Sequence, residues 1–583
     1  MKQFFAGAIV VGAVLYGAAE LTLTRPPEDG VIRLRWATDP NPARKLQVEK
    51  FGKGQVFLRQ EDLRDAAGFL SALAHPVADT PQGRAIARLA ERLAAGGTPP
   101  SSQPPSSLAP LLAAVNELLE QPGLFRREDI GGLDLPRDGG LLLARPRDEL
   151  SAVEVVALNR RLLEAAFGDG LAKARRIEVG VESGAREKLI VQCATGTGPD
   201  IIDVYGKAHM MTLVEAGVLV DLTAFAADMG FSPANTYPSL KGNLLVDGRQ
   251  YRYPCNVWAN CVVYNPDIFD DHGAPYPAEG WTYEDFIRIG KRIIAGPGRS
   301  GRRHLALANY SNMWLYNDLL IGHGGRYFSE DGLLSRLDSP EALAAMRLYH
   351  DMMHVHKVVP TPAEAAAMSS QGGWGSGAIS WFSNGQAAMI SIGRWYLCQA
   401  PLYANLRKDP NDPHSDLKLR AVRLPGVGDR PSEGVCDTRA GGVNITSPHR
   451  GAAMKFLQYL AGPVYGQVIV RDGDALPPNP MLARTGKDLV NGVACDPAFH
   501  QPFIDAMPPA RPLDFSPFID AGQVDRWVLE TINKVENRLL PPDEAMRQLA
   551  AEINQRIRLN LQRRSDLRRR FEKLAGGASP EQR

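Results

Sequence analysis

A stretch near the middle of the chain, residues 187–293, places short apolar runs and helix patterns in a regular order. The run Ile201–Val204 is short and lies between turn residues, which is typical of a strand in a parallel sheet. The dipeptide Asp247-Gly248 predicts a tight hairpin. The run Cys261–Tyr264 is a second buried strand that ends in a turn. Helices between such strands favour a fold built from layers of helix and sheet.

Eight short segments between residues 195 and 460 occur in an order that a known family shares. They are Thr195–Asp200, Glu215–Leu222, Tyr253–Pro254, Tyr264–Phe269, Trp281–Phe286, Gly385–Met389, Gly393–Trp395 and Ile445–Leu460. No single segment is specific, but their order along the chain resembles the order found in the extracellular solute-binding proteins of family 1. These are the maltose-binding type of protein that delivers sugars to ABC importers.

Length, charge and cysteine content limit the class of protein. The chain has 583 residues, and at ~150 residues each it has room for about three or four domains. Its formal net charge is +1, which indicates no nucleic-acid partner. The six cysteines form no CxxC pair and no zinc-type spacing, which favours buried thiols. One or two disulfides remain open if the compartment is oxidising.

The N-terminal segment, residues 1–25, predicts export from the cytoplasm. A lysine precedes an apolar run from Phe4 to Ala19, and Gly17 and Ala19 suit a signal-peptidase site. No cysteine follows, so a lipoprotein anchor is not indicated. Two interpretations stay open, a cleaved signal peptide and an uncleaved transmembrane anchor. Both predict a periplasmic or extracytoplasmic protein.

The family pattern is interrupted soon after it begins. Val31–Trp36 alternates as a strand, and a helix follows over Ala43–Phe51. The next strand of the pattern is predicted only at Arg176–Val181. Residues 52–150 therefore form an insertion with amphipathic helical patterns and a Pro/Ser-rich linker. We expect a small helical subdomain on lobe one, with a docking surface for another protein as the alternative.

The resemblance implies an α/β chain with the two-lobe periplasmic-binding-protein type II fold and an α-helical insertion in lobe one. Three crossings would join the lobes, near residues 256–260, 435–442 and 474–478, and Gly441-Gly442 would serve as hinge material. The implied lobes are 31–257 (with 52–150 inserted) and 442–475 for lobe one, and 258–441 and 476–575 for lobe two, whose last part is helical.

Aromatic residues next to turns are the candidate ligand-binding residues. A sugar presents apolar C–H faces ringed by hydroxyls, so its site needs flat aromatic surfaces and a few planar polar groups. The resemblance points to Trp36 and Asp39, to Trp258 and to Trp395 as cleft positions. The full candidate set is Trp36, Asp39, Tyr205, Lys207, Trp258, Trp314, Trp374, Arg394 and Trp395. Trp281 is expected to be structural.

Catalytic and metal motifs are missing from the sequence. It contains no phosphate-binding P-loop, no GxSxG and no HExxH. His350, His354 and His356 cluster near one helix, and an i, i+4 histidine pair could hold a metal. No further ligand is evident beyond Asp351, so we predict no metal. We expect no cofactor and no catalytic residue. A carbohydrate-active enzyme stays open as an alternative, because its two carboxylates would leave no sequence signature.

The predicted function is the capture of a sugar or oligosaccharide between two lobes and its delivery to the permease subunits of an ABC transporter. The protein would act as a monomer and would make or break no bond. A second alternative is a membrane-anchored sensor or scaffold that uses the same fold without transport.

Overall fold

Two larger β-sheets with flanking helices make up the described part of the chain. The computed structural model describes residues 31–38, 42–49, 51, 91, 176–183, 186–227, 229–368, 376–398 and 419–574. The strands are β1 (Val31–Thr38), β2 (Arg176–Ser183), β3 (Ile201–Tyr205), β4 (Leu245–Val246), β5 (Arg249–Gln250), β6 (Tyr253–Ala259), β7 (Cys261–Tyr264), β8 (Leu305–Ala308), β9 (Ala387–Ile392), β10 (Arg420–Arg423) and β11 (Cys436–Val443).

The helices lie between and around these strands. They are α1 (Pro42–Glu49), α2 (Arg186–Ala194), α3 (Gly206–Glu215), α4 (Thr223–Ala226), α5 (Lys241–Leu244), α6 (Pro266–His272), α7 (Tyr283–Ile294), α8 (Asn312–Gly322), α9 (Pro340–His354), α10 (Pro362–Met368), α11 (Ser376–Ser383), α12 (Arg450–Ala461), α13 (Pro463–Asp472), α14 (Pro497–Asp505), α15 (Ala521–Glu536), α16 (Pro542–Arg563) and α17 (Ser565–Leu574). Short 3₁₀ turns occupy Pro233–Asn235, Pro238–Leu240, Arg394–Cys398, Pro480–Leu482 and Gly486–Leu489.

The first sheet has the strand order β2-β1-β3-β11-β6 and forms lobe one. β1 pairs in parallel with β2 and β3, whereas β11 runs antiparallel to β3 and β6. Along β1 the side chains of Ile32, Leu34 and Trp36 are buried, while Arg33 and Arg35 are exposed, as its alternating sequence predicts. The pairing of β1 with β2 confirms that the pattern interrupted after α1 resumes at Arg176.

The second sheet has the order β10-β7-β9-β8 and forms lobe two. β7 pairs antiparallel with β9 and β10, and β8 pairs in parallel with β9. The C-terminal helices share the apolar core on this lobe, where Val528 of α15, Met546 of α16 and Phe571 of α17 join Phe286 and Leu319. These helices therefore pack on the same side of the molecule as the second sheet.

The chain passes between the sheets at three places. Asn260 alone separates β6 of the first sheet from β7 of the second. Residues 424–435 connect β10 to β11. The third crossing follows Leu476, whose backbone exchanges hydrogen bonds of 3.0 and 2.8 Å with Val257 of β6.

Sheet membership differs from the predicted lobe boundaries at two points. Trp258 lies in β6, so it is part of lobe one and not the first residue of lobe two. β11 fills the gap between β3 and β6 over its whole length, so lobe one resumes at Cys436 and not at residue 442. Gly441 and Gly442 lie inside this strand, where added Cβ atoms would come within 3.0 and 2.9 Å of leucine side chains. Close packing, rather than hinge motion, accounts for these glycines.

Several local predictions are confirmed. Asp247 and Gly248 have φ values of 52° and 76° and connect β4 to β5, as a type I′ hairpin requires. Thr282 caps α7, with a capping box completed by Asp285. Trp281 is 4% exposed and its Nε1 donates to the carbonyl oxygen of Arg423, which fits its expected structural role.

Two predicted regions lie outside the described residues, namely the N-terminal segment 1–25 and nearly all of the insertion 52–150. Within the described ranges, no helix combines the length and apolar character needed to cross a membrane. All six cysteines are described and carry free thiols; Cys193, Cys255, Cys261 and Cys436 are buried, and Cys398 and Cys495 are half-buried. This matches the buried-thiol interpretation.

Candidate ligand-binding site

Four aromatic side chains, Trp258, Tyr310, Trp314 and Trp395, meet where the lobes join, and we call them the aromatic patch. The rings of Trp258 and Trp314 stack with centroids 4.6 Å apart and an angle of 25° between planes. Tyr310 contacts Trp314 at 5.3 Å and Trp395 at 5.2 Å between ring centroids. The patch therefore unites a strand of lobe one with three side chains of lobe two.

Local backbone structure positions two rings of the patch, those of Trp314 and Trp395. Trp314 lies in the first turn of α8, where its N–H donates to the capping hydroxyl of Ser311 at 3.4 Å. Trp395 follows β9 and lies over Gly393, where an added Cβ would come within 2.6 Å of the indole ring. A glycine is thus required beneath this tryptophan.

Exposure differs among the rings of the patch. Trp258, Tyr310 and Trp314 are half-buried, whereas Trp395 is 8% exposed. Trp395 thus packs behind the other rings of the patch and exposes little surface of its own. The half-buried rings present the flat apolar surface that a sugar face requires.

Polar groups lie next to the patch at the edge of the first sheet. Asp437 of β11 is directly opposite Trp258 in the strand register. An added Cβ on Gly206 would come within 3.1 Å of the Asp437 carboxylate, which brings the turn after β3 close to the same place. Tyr205 and Lys207 flank that glycine; Tyr205 is 36% exposed and Lys207 is half-buried.

The electrostatics of this edge are mixed. Burial raises the pKa of Asp437, while Arg252 and a hydrogen bond of 2.6 Å from the Asn243 amide favour its ionised form. Burial lowers the pKa of Lys207, which the negative charge of Asp514 on lobe two opposes. Lys207 therefore interacts with charge from the other lobe.

Two of the predicted site residues are core residues in this structure. Trp36 is fully buried, its Nε1 donates to Asp203 at 2.9 Å, and its ring lies 5.1 Å from that of Phe456. Arg394 is 1% exposed and donates to the carbonyl oxygens of Ala475 at 2.6 Å and Leu489 at 2.7 Å. The expectation that these two face a ligand does not hold here, because their polar atoms bond inside the protein. Asp39 and Trp374 lie outside the described residues.

A buried charge network next to the site escaped the sequence analysis. Arg439 of β11 donates to Asp203 at 3.3 Å and to Gln47 at 3.3 Å, and it pairs with Asp474 at 3.8 Å. Arg44 of α1 also forms an ion pair with Asp474. Burial would raise the pKa of Asp474, but the two guanidinium groups lower it to about 2. The network joins α1 and strands β3 and β11 of lobe one to Asp474, which lies just before the third crossing.

The fold defined by these two sheets is that of two-lobe binding proteins. An ABC substrate-binding protein of Listeria monocytogenes, solved in complex with cycloalternan, superposes with a TM-score of 0.53 at 21% sequence identity, over 69% of this chain and 95% of that one. At this identity the likeness concerns the fold.

The family model for bacterial extracellular solute-binding proteins matches residues 171–467, and the chain belongs to this family. The diacetylchitobiose-binding protein of Streptomyces coelicolor is 26% identical over 34% of this chain and 44% of its own length. The arabinooligosaccharide-binding protein of Halalkalibacterium halodurans is 23% identical over 26% of this chain and 31% of its own. The matches therefore span less than half the length of these curated relatives.

Proposed function

We propose that this protein binds a sugar or oligosaccharide between its two lobes and delivers it to the permease subunits of an ABC importer. The observation that carries the proposal is the aromatic patch at the lobe junction. Stacked and half-buried rings suit the apolar faces of a sugar, and the neighbouring side chains of Tyr205, Lys207 and Asp437 offer hydrogen bonds to its hydroxyls. Relatives whose names specify chito- and arabino-oligosaccharides support the carbohydrate class.

The transport cycle would depend on the relative position of the lobes. A ligand that contacts the patch and the edge of the first sheet stabilises the arrangement in which both contacts are made. Three crossings outside the two apolar cores, the first of them the single residue Asn260, would allow such a change without disturbing either core. Within this proposal the protein makes and breaks no bond, and its chemistry consists of binding and release.

The family's extracellular description supports a site of action outside the cytoplasm. We propose that the N-terminal segment directs export, as a cleaved signal peptide or as a retained anchor, and that the protein acts as a monomer. Mass spectrometry of the mature N-terminus distinguishes the cleaved form from the anchored one.

A glycan screen tests the function directly. Purified protein is scanned for a rise in melting temperature across a library of oligosaccharides, because a ligand that binds only the folded state stabilises it. A hit is then titrated by calorimetry and incubated with the protein to look for turnover. Saturable binding without product formation is the expected result. Release of shortened glycans would identify an enzyme instead.

The variant pair Trp314→Ala and Trp527→Ala assigns the binding to the patch. Trp527 of α15 is also half-buried, but it contacts Arg556 on the C-terminal helices and not the patch. Loss of affinity in Trp314→Ala alone supports the proposal. Equal affinity in both variants would mean that the ligand binds elsewhere.

A further inference from the structure

Two histidines and an aspartate converge on lobe two, on residues different from those of the aromatic patch. Asp271 and His272 end helix α6, and His304 precedes strand β8. Nε2 of His272 lies 2.8 Å from Nδ1 of His304, and the rings are nearly perpendicular, at 80°. One ligand atom from each of the three residues lies within 4.8 Å of the others.

The carboxylate of Asp271 is held in place by the loop before β8. Ser300 donates to it through its N–H at 2.6 Å and through its hydroxyl at 2.7 Å. These hydrogen bonds fix the orientation of the carboxylate and leave lone pairs on both of its oxygens. An oriented and ionised carboxylate with lone pairs to spare is a competent metal ligand.

Both imidazoles are suited to donate a lone pair. His272 is buried and His304 is half-buried. The short contact between the rings places a single proton between two nitrogens. Moving that proton to the other nitrogen of its own ring frees both lone pairs without net proton release.

We propose that Asp271, His272 and His304 form a binding site for a divalent transition-metal ion, with Zn²⁺ the expected occupant. Two imidazoles and one carboxylate favour zinc or its neighbours over Mg²⁺ and Ca²⁺, which prefer oxygen ligands. With Zn–N bonds of ~2.0–2.1 Å, the two nitrogens need to separate by only roughly 0.5 Å from their present contact. The bound ion would join the end of α6 to the loop before β8 and leave a coordination position for water.

The histidines at helical spacing on α9 are the natural comparison. His350 and His354 lie with ring centroids 4.7 Å apart, as an i, i+4 pair does. Nδ1 of His350 contacts Asp351 at 2.9 Å, and Nε2 of His354 contacts the carbonyl oxygen of Glu536 at 2.9 Å. A substitution at His350 removes a half-buried histidine without touching the proposed ligands.

The test uses the full chain without a histidine tag, after treatment with a chelator. ZnCl₂ is titrated by calorimetry, CoCl₂ by visible absorption, and MgCl₂ serves as the oxygen-preferring comparison. We expect one equivalent of Zn²⁺ to bind, a Co²⁺ spectrum with nitrogen ligation, and a raised melting temperature for Zn²⁺ but not for Mg²⁺. His304→Gln and Asp271→Asn should each weaken Zn²⁺ binding by at least about 100-fold, and Ser300→Ala by roughly 10-fold.

The same variants include the control and the outcomes that would contradict the proposed metal site. His350→Gln should bind Zn²⁺ as the wild type does. Unchanged affinity in His304→Gln, loss of affinity in His350→Gln, or no binding by the wild type at about 1 mM Zn²⁺ would each overturn the assignment. His272→Gln changes a buried side chain and so affects folding. His304 is half-buried, so His304→Gln is the variant used for the test, and its far-ultraviolet circular dichroism checks that the protein is folded.

Discussion

The carboxylate of Asp318 accepts a hydrogen bond of 2.8 Å from the side-chain amide of Asn260, the single residue between the two sheets. Its other oxygen accepts a bond of 2.9 Å from the N–H of Val435, at the second crossing. Asp318 and Trp314 are one turn apart on α8, and Asn260 and Trp258 are two apart on one extended segment. The stacked tryptophans and this hydrogen bond are thus adjacent contacts between the same two elements. Asp318 thus links the helix that carries Trp314 to the segment that carries Trp258.

The charge of Asp318 should make stability depend on pH. Burial raises its pKa to about 7, although both hydrogen bonds favour the ionised form. The folded protein therefore holds a proton that the unfolded chain loses near pH 4, so stability should fall as pH rises from about 4 to about 7. At ~1.4 kcal/mol per pKa unit, this group accounts for a loss on the order of 2–4 kcal/mol. Urea unfolding at pH 5 and pH 8 measures it.

Asp318→Asn is the matched control for this prediction. Oδ1 of Asn260 is buried and has no hydrogen-bond partner among the described residues. Once the Asn260 amide turns over, an asparagine at 318 donates to that oxygen and accepts from Val435, much as a protonated carboxyl does. The variant should show a smaller fall in stability between pH 5 and pH 8 than the wild type, and Asp525, whose pKa burial also raises to about 7, accounts for part of the remaining fall. A variant with the same pH slope as the wild type would show that other groups cause it.

Asp474 should make stability fall as the pH is lowered, the opposite of Asp318. Its pKa lies near 2, below the ordinary value of 3.8, so its contribution to the free energy of unfolding is present above pH 4 and is lost as pH falls towards 2. Asp474→Asn keeps the shape but leaves Arg44 and Arg439 buried with less negative charge. We expect the variant to lose about 3–5 kcal/mol of unfolding free energy at pH 7.

Exposed ion pairs give the comparison for Asp474→Asn. Asp543 pairs with Arg347 on the surface of lobe two, and Asp543→Asn should cost at most about 1 kcal/mol in the same urea experiment. Equal losses in the two variants would contradict the view that burial makes the Asp474 network important.

Arg394 should affect stability and not ligand affinity. Its guanidinium donates to three backbone carbonyl oxygens and, at 3.1 Å, to Nδ1 of His500, all inside the protein. Arg394→Lys keeps the charge, but one ammonium cannot reproduce the planar set of donors. We expect a loss on the order of 2–4 kcal/mol by urea unfolding and unchanged affinity for a glycan hit. Weakened binding with normal stability would restore Arg394 as a ligand-binding residue.

The sequence predicts those features that local pattern encodes. Alternation along Val31–Trp36 and the Asp247-Gly248 dipeptide determine a strand and a hairpin within a few residues, and both are found. Trp258 was placed near a crossing by the family resemblance and by its polar neighbours Asn256 and Asn260. The family order supplied the pairing of strands far apart in sequence, which periodicity alone does not encode.

Burial of single side chains was less predictable. Trp36 and Trp258 both end strands beside polar residues, but only the pairing of β1 between β2 and β3 buries the first. Arg439 contacts residues about 400 positions away in the sequence, such as Thr38, and no local sequence pattern predicts such contacts. Tyr310 was missed because its partners Trp314 and Trp395 come from different elements.

The last prediction contrasts a patch tryptophan with a core tryptophan. Trp314→Ala removes a half-buried ring at the proposed site, and stacking on a sugar face is worth on the order of 1–2 kcal/mol. Glycan affinity should therefore fall by roughly 5- to 30-fold, with a smaller effect on unfolding. Trp36→Ala removes a ring packed on Phe456 and hydrogen-bonded to Asp203, so it should cost about 3–5 kcal/mol of stability.

Affinity by calorimetry and stability by urea unfolding are measured on both variants, because each observable alone is ambiguous. Trp258→Ala is the third variant, since its ring stacks on Trp314. If the two rings form one binding surface, the double variant should lose less affinity than the sum of the single losses, because each single change already disrupts the stack. Full additivity would mean that the rings contact the ligand independently. Normal affinity in Trp314→Ala, Trp258→Ala and the double variant, combined with early unfolding, would mean that the patch is only part of the core.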